Sequence, residues 1–172
     1  PYGVINGGLT IKRSAHLEIT GRNPSGVCPF NEWTGNAGKP CYVLRVLGKL
    51  TLQDDCQVSG GGAFGRAVGD VANNASIYLL VDGKVTMANK CRLYGFPYPD
   101  KSSGLYVISH SNDPVRAILL DGSTSIGSVF LAFRGGIEVT SSVKVKAISG
   151  HKISVANVSH LIYDEGLAQS SD

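Results

Sequence analysis

Four cysteines are the residues of this chain that can react with one another, and they stand at positions 28, 41, 56 and 91. Zinc sites usually combine closely spaced Cys and His ligands. The chain has no CxxC pair and no histidine at a metal-ligand spacing from a cysteine, so we expect no metal site. An even cysteine count in a glycine-rich chain favours disulfides and an oxidising location. A Cys28–Cys41 bond would close a 14-residue loop and stabilise the fold by roughly 3 kcal/mol.

Other reactive patterns are weak. Residues 60–65 match GxGxxG after a strand-like run, but no helix follows, so we expect a loop rather than a nucleotide site. The histidines do not stand at metal-ligand spacing, and their order alone reveals no Ser-His-Asp arrangement. We therefore expect no cofactor.

The composition is that of a folded protein. With 172 residues, 42% of them hydrophobic and 17% charged, we expect one domain over residues 1–172. The net charge is +3, and the basic residues are scattered, which argues against nucleic-acid binding. No apolar run approaches the roughly 20 residues that cross a bilayer, so we expect no membrane insertion. Since Met87 is the only methionine, we expect a processed chain or a fragment.

A repeat sets the organisation of the sequence. Segments 5–19, 46–60, 81–95 and 133–147 align without a gap, and 105–120 and 152–163 match more weakly, giving about six units. Within each unit apolar and polar residues alternate with the period of two that strands have. The shared columns are a glycine (Gly7, Gly48, Gly83, Gly135) and two apolar positions (Leu9, Leu50, Val85, Ile137 and Ile11, Leu52, Met87, Val139). Each unit is predicted to form a turn, a strand, a corner and a second strand, and at the glycine we expect a turn with positive φ.

Stacking of these units would give an all-β solenoid, in which equivalent residues lie one above another. Cys56 and Cys91 share an inward column, so their Cα atoms would lie within the roughly 4.4–6.8 Å that a disulfide accepts. Two buried thiols are the alternative.

Three insertions, at residues 22–42, 61–76 and 96–104, each begin just after the second strand of a unit. In a solenoid they would rise from one flank. Aromatic side chains there offer flat faces to sugar rings, and polar neighbours orient the hydroxyl groups. The predicted ligand-binding residues are Phe30, Trp33, Tyr42, Arg66, Phe96, Tyr98 and Asp100. The alternative is that the aromatic residues pack down and cover the flank.

The repeat resembles the right-handed parallel β-helix class, which includes phage tailspikes, pectate-lyase-like enzymes and bacterial surface adhesins. The resemblance covers most of the chain but is one of architecture, and it matches no individual family. It implies a single-stranded parallel β-helix of about six irregular rungs. It also implies a non-catalytic spike or adhesin domain that binds a cell-surface polysaccharide or glycan, outside the cell or on a virion. Viral members are often trimeric, so a homotrimer is one expected assembly.

Two alternatives stay open. Asp54-Asp55 is similar to the paired aspartates of pectin-degrading β-helix hydrolases, where one carboxylate acts as acid and another as base. With Asp82 as a third carboxylate, this implies a polysaccharide hydrolase or lyase. The 35-residue spacing of Cys56 and Cys91 instead allows a fimbrial or pilus subunit with an Ig-like β-sandwich, which would pair antiparallel strands.

Overall fold

The computed structural model describes residues 3–20, 41–60, 76–94, 105–122, 124–156 and 161–162. These residues form an all-β protein, and none of them lies in a helix. Consequently no helix of the described segments is long and apolar enough to cross a membrane. The strands are β1 (Gly3–Ile5), β2 (Leu9–Ile11), β3 (His16–Ile19), β4 (Cys41–Val46), β5 (Leu50–Leu52), β6 (Gln57–Gly60), β7 (Ser76–Val81), β8 (Val85–Ala88), β9 (Arg92–Leu93), β10 (Leu105–Ser109), β11 (Ile118–Asp121), β12 (Thr124–Val139), β13 (Val143–Val155) and β14 (Leu161–Ile162).

The strands pair in parallel within one nearly closed sheet. Three series of partners run through it. The first series is β1-β4-β7-β10-β12-β13, the second is β2-β5-β8-β11-β12-β13, and the third joins β3, β6 and β9 to β12, β13 and β14. The long strands β12 and β13 belong to all three. The antiparallel pairing expected from the Ig-like β-sandwich is therefore wrong for the described strands, because each strand runs in the same direction as its partner from the preceding unit.

The register confirms the apolar columns of the repeat. Leu9 pairs with Leu50, and Leu50 pairs with Val85. Ile118, from the weaker unit, lies between Val85 and Ile137. The column two residues later is Ile11, Leu52, Met87, Leu120 and Val139. Most of these side chains are fully buried, so stacking makes one continuous apolar interior.

The shared glycine position of the units was expected to mark a turn with positive φ, but the structure gives a different reason for it. Gly7 alone of that column has a positive φ, at 109°. At Gly48, an added Cβ would lie 2.6 Å from the carbonyl carbon of Gly7, and at Gly83 it would lie 2.7 Å from the carbonyl oxygen of Gly48. Glycine is needed there because successive turns stack with their backbones in contact.

Positive φ occurs instead at the corner between the second and third series. Three stacked pairs have φ between 55° and 65°: Arg13-Ser14, Asp54-Asp55 and Asn89-Lys90. Backbone hydrogen bonds join the levels, from the Ser14 N–H to the Asp54 carbonyl and from the Asp55 N–H to the Asn89 carbonyl, each 2.9 Å. These bonds offset the cost of the left-handed conformation in residues other than glycine.

Two apolar layers lie on opposite faces of the first series. The interior layer includes Leu44 and Leu79, and the opposite layer includes Val43, Tyr78 and Tyr106. The rings of Tyr78 and Tyr106 stack with centroids 5.1 Å apart. This series is therefore buried on both faces, which explains the continuous apolar runs of β7 and β10.

Cys56 and Cys91 form the predicted disulfide, with Cα atoms 4.6 Å apart. The alternative of two buried thiols is therefore wrong. Cys41 is also disulfide-bonded, whereas its predicted partner Cys28 lies outside the described residues. Most of the predicted insertions (22–40, 61–75 and 96–104) also lies outside them.

Candidate functional site

One predicted ligand-binding residue can be placed. Tyr42 lies in β4, is only 3% exposed and packs in the interior with Leu44 and Val46. The expected position in an exposed loop differs because β4 begins at Cys41, and strand alternation then directs Tyr42 inward. The remaining predicted residues, Phe30, Trp33, Arg66, Phe96, Tyr98 and Asp100, lie outside the described residues.

The three candidate carboxylates do not meet. Asp54 and Asp55 follow β5, and the Asp54 carboxylate accepts a 3.0 Å hydrogen bond from the Asn89 side-chain amide. Asp82 instead precedes β8, the strand paired with β5. The four residues of β8 lie between the two positions, so the separation is at least roughly 13 Å. Carboxyl groups that cleave a glycosidic bond lie about 5–9.5 Å apart.

Asp82 belongs to a polar cluster at the corner between the first and second series, which we call the first corner (residues 47–49, 82–84, 110–117, 133–136 and 151–152). Arg45 donates to both Asp82 carboxylate oxygens, at 2.9 to 3.3 Å, and His110 Nδ1 lies 3.3 Å from Oδ1. The hydrogen bonds from Arg45 hold the pKa of Asp82 below its ordinary value.

Two more ion pairs lie at this corner. Lys84 pairs with Asp113, and Arg116 pairs with Glu138. The Asp113 carboxylate also accepts hydrogen bonds from the backbone N–H groups of Arg116 and Val115, at 2.8 and 2.9 Å. Lys84, followed by these N–H groups, holds the pKa of Asp113 far below its ordinary value. Each described acidic residue of the first corner therefore has a basic partner.

A groove of about 420 Å³ lies beside this network, lined by Ser109, His110, Phe133 and Arg134. The Phe133 side chain is 53% exposed. Arg134 and His110 are also exposed. An exposed aromatic ring with cationic and hydrogen-bonding neighbours has the chemistry that ligand sites use.

A bulge in β12 carries Phe133 to this surface. Ala132 pairs with Gly150 and Gly136 pairs with Lys152, so residues 133–135 lie opposite the single residue His151. Ser109 pairs with Val81, and continuing the register of β10 and β12 by one residue aligns Ser109 with Ala132. His110 follows Ser109 as Phe133 follows Ala132. His110, Phe133 and His151 therefore follow matched positions of three adjacent strands, which lie about 4.8 Å apart.

The loop after β10 holds the bulge in place. Gly136 donates a 2.8 Å backbone hydrogen bond to the Asp113 carbonyl. A Cβ on Gly136 would lie 2.4 Å from the Pro114 carbonyl oxygen, and one on Gly135 would lie 2.3 Å from the Ala117 Cβ. The two glycines allow the loop to pack directly against the bulge, so the groove has rigid backbone support.

Phe133 and Arg134 were not predicted from the sequence. The gapless alignment of the units placed Phe133 opposite Val46 and Val81, whereas the register gives that position to Ala132. A partial signal is the paired Gly135-Gly136. Units 46–60 and 81–95 have a single glycine followed by lysine at this position, although the first unit also has a pair, Gly7-Gly8.

A second contact joins His16 Nε2 to the Ser59 hydroxyl at 2.7 Å. Burial lowers the pKa of His16, and Glu18 opposes this. Ser59 is completely buried, so its hydroxyl is not accessible to a substrate and the contact is structural.

Comparison of the chain with protein-family models, curated proteins and solved structures finds no match. Among the described residues, no cluster of three or more His, Cys, Asp and Glu side chains could hold a metal ion. The function is therefore inferred from the chemistry of the groove.

Proposed function

We propose that this chain is a non-catalytic parallel β-solenoid domain that binds a glycan in the groove formed by His110, Phe133 and Arg134. The three series of parallel partners support the solenoid, because each series takes one strand, or one part of β12 or β13, from each successive unit. Cα partners recur at the spacing of the repeat, as Leu50 and Val85 do. Six units then correspond to six coils.

The observation that carries the binding proposal is the 53% exposure of Phe133 within a groove. The flat face of an aromatic ring packs against the C–H surface of a sugar, and nearby donors bind its hydroxyl groups. His110 and Arg134 supply those donors. The groove is lined from β10 and the residue after it and from the paired strand β12, so a polymer chain could contact two adjacent coils.

The carboxylates support a role in binding rather than catalysis. A glycosidase needs one carboxyl group that keeps its proton near neutral pH. The pKa values of Asp82 and Asp113 are instead lowered by Arg45 and Lys84. Both groups are therefore ionised, and neither is suited to protonating a leaving group.

We also propose that the domain works outside the cell, at a cell surface or on a virion. The Cys56–Cys91 disulfide supports this location, since such bonds persist in oxidising surroundings. Light scattering distinguishes a monomer from the expected homotrimer.

The test is binding to a glycan array by the wild type, Phe133→Ala and the control Val4→Ala. Val4 is equally exposed, at 53%, but lies in β1 away from the groove. Phe133→Ala should weaken binding about tenfold, as expected for the loss of an aromatic contact, whereas Val4→Ala should bind as the wild type does. Trp33→Ala and Tyr98→Ala test the insertions in the same assay. Absence of any bound glycan, or equal binding by Phe133→Ala and wild type, would refute the proposal.

A further inference from the structure

The first corner has an uneven charge distribution. The acidic residues described at or beside it are Asp82, Asp113 and Glu138, and they form ion pairs with Arg45, Lys84 and Arg116 respectively. These pairs cancel locally, so they contribute little net field at the groove. Among the described residues, the charges at this corner that lie outside these three ion pairs are positive.

Two cations at the groove end of the corner have no such partner among the described residues. Arg134 and Lys152 are exposed, and neither forms an ion pair with a described carboxylate. Lys152 pairs in register with Gly136, two residues after Arg134, so both cations lie on adjacent strands at the bulge. Phe133 directly precedes Arg134 in β12, and His110 directly follows β10, the strand paired with β12.

We infer that the glycan bound in this groove is acidic, and that Arg134 binds its anionic group while Phe133 packs against the ring that bears it. This inference rests on the proposed glycan-binding function. The guanidinium group is planar and donates two parallel hydrogen bonds, which match a carboxylate, sulfate or phosphate. Lys152 adds a second positive charge one strand away.

The bulge makes the arrangement specific. Because three residues of β12 lie opposite one residue of β13, the ring of Phe133 and the guanidinium of Arg134 come from neighbouring positions that a regular strand would direct to opposite faces. The rigid loop behind Gly136 fixes both. An acidic sugar presents the same combination, an apolar ring face and a charged substituent.

The experiment measures binding to four polymers: alginate, carboxyl-reduced alginate, dextran sulfate and dextran. The wild type should bind one or both acidic polymers at least tenfold more tightly than their neutral counterparts. Alginate and dextran sulfate distinguish a carboxylate from a sulfate as the recognised group. Arg134→Gln should lose about tenfold in affinity for the acidic polymer. Its loss for the neutral polymer should be much smaller, because the glutamine amide still donates hydrogen bonds to hydroxyl groups.

Lys144→Gln is the matched control, since it removes one exposed positive charge from β13 in the third series. It should bind as the wild type does. If acidic and neutral polymers bind equally and Phe133→Ala weakens both, the inference of an acidic ligand is wrong. The proposed glycan-binding function would then still hold. Equal losses in Arg134→Gln and Lys144→Gln would show a nonspecific charge effect and overturn the assignment to Arg134. No binding to any of the polymers would overturn the inference, while the glycan array would test the proposed function separately.

Discussion

The disulfide between Cys56 and Cys91 joins adjacent levels of the stack, so removing it should cost a calculable amount of stability. The bond spans 35 residues, and the chain-entropy relation for a loop of that length gives about 4 kcal/mol. Both cysteines are fully buried. Replacing either by alanine should therefore lower the free energy of unfolding by about 4 kcal/mol, with a small further loss for the missing sulfur atom.

The two substitutions should not be additive, because either one alone breaks the bond. Cys56→Ala, Cys91→Ala and the double variant are compared by urea unfolding, with free thiols alkylated. We expect all three to lose about 4–5 kcal/mol, so the double variant should be much more stable than the sum of the two losses predicts. Single losses below about 1 kcal/mol, or fully additive losses, would show that the cross-link does not stabilise this stack.

Three further predictions concern packing and charge. Leu52→Ala should lose about 3 kcal/mol in urea unfolding, because Leu52 is fully buried, whereas the partly exposed neighbour Thr51→Ala should lose less than about 1 kcal/mol. Gly136→Ala should lose about 2–3 kcal/mol in the same assay, because its Cβ would lie 2.4 Å from the Pro114 carbonyl oxygen; wild-type stability would contradict this contact. The lowered pKa of Asp113 means that its contribution to stability is complete above the ordinary value of 3.8 and is lost as the pH falls further. The Tm of Asp113→Asn should therefore fall less between pH 5 and pH 2.5 than that of the wild type, and parallel curves would refute this.

The strands of the second and third series could be predicted because they follow from local patterning. The first-series strands β4 and β7 were not predicted, since the predicted unit held only two strands. Leu9, Leu50 and Val85 alternate with polar residues at the strand period, and the register joins them as aligned. The Cys56–Cys91 disulfide could be predicted from the same columns. Strand pairing brings the two residues together regardless of the conformation of the intervening insertion. Alternation specifies which face is buried and hence the register.

The groove could not be predicted by the same reasoning. A gapless alignment has no means of representing a bulge, so Phe133 was matched to inward-facing residues although its own strand presents it to solvent. Tyr42 was predicted to lie in an exposed insertion but is buried. The insertion ends where strand pairing begins, at Cys41, and the sequence alone does not indicate that position. Phe133 was aligned with buried residues and is exposed, whereas Tyr42 was expected to be exposed and is buried. In a strand, an error of one residue is enough to reverse the face on which a side chain lies.

Charge pairing was also hidden from the sequence, yet the register explains it. Lys84 and Asp113 are 29 positions apart in the chain, and Arg116 and Glu138 are 22 apart. These separations fall within or near the length of one unit, so the pairing of β8, β11 and β12 places the partners in or just before adjacent strands. Scattered charges in a repetitive chain therefore become ordered columns once the units stack. A net positive region can then arise at one corner without any cluster of basic residues in the sequence. The scattering of Lys and Arg along this chain argues against a nucleic-acid groove, but it does not argue against an anionic saccharide that spans two or three strands.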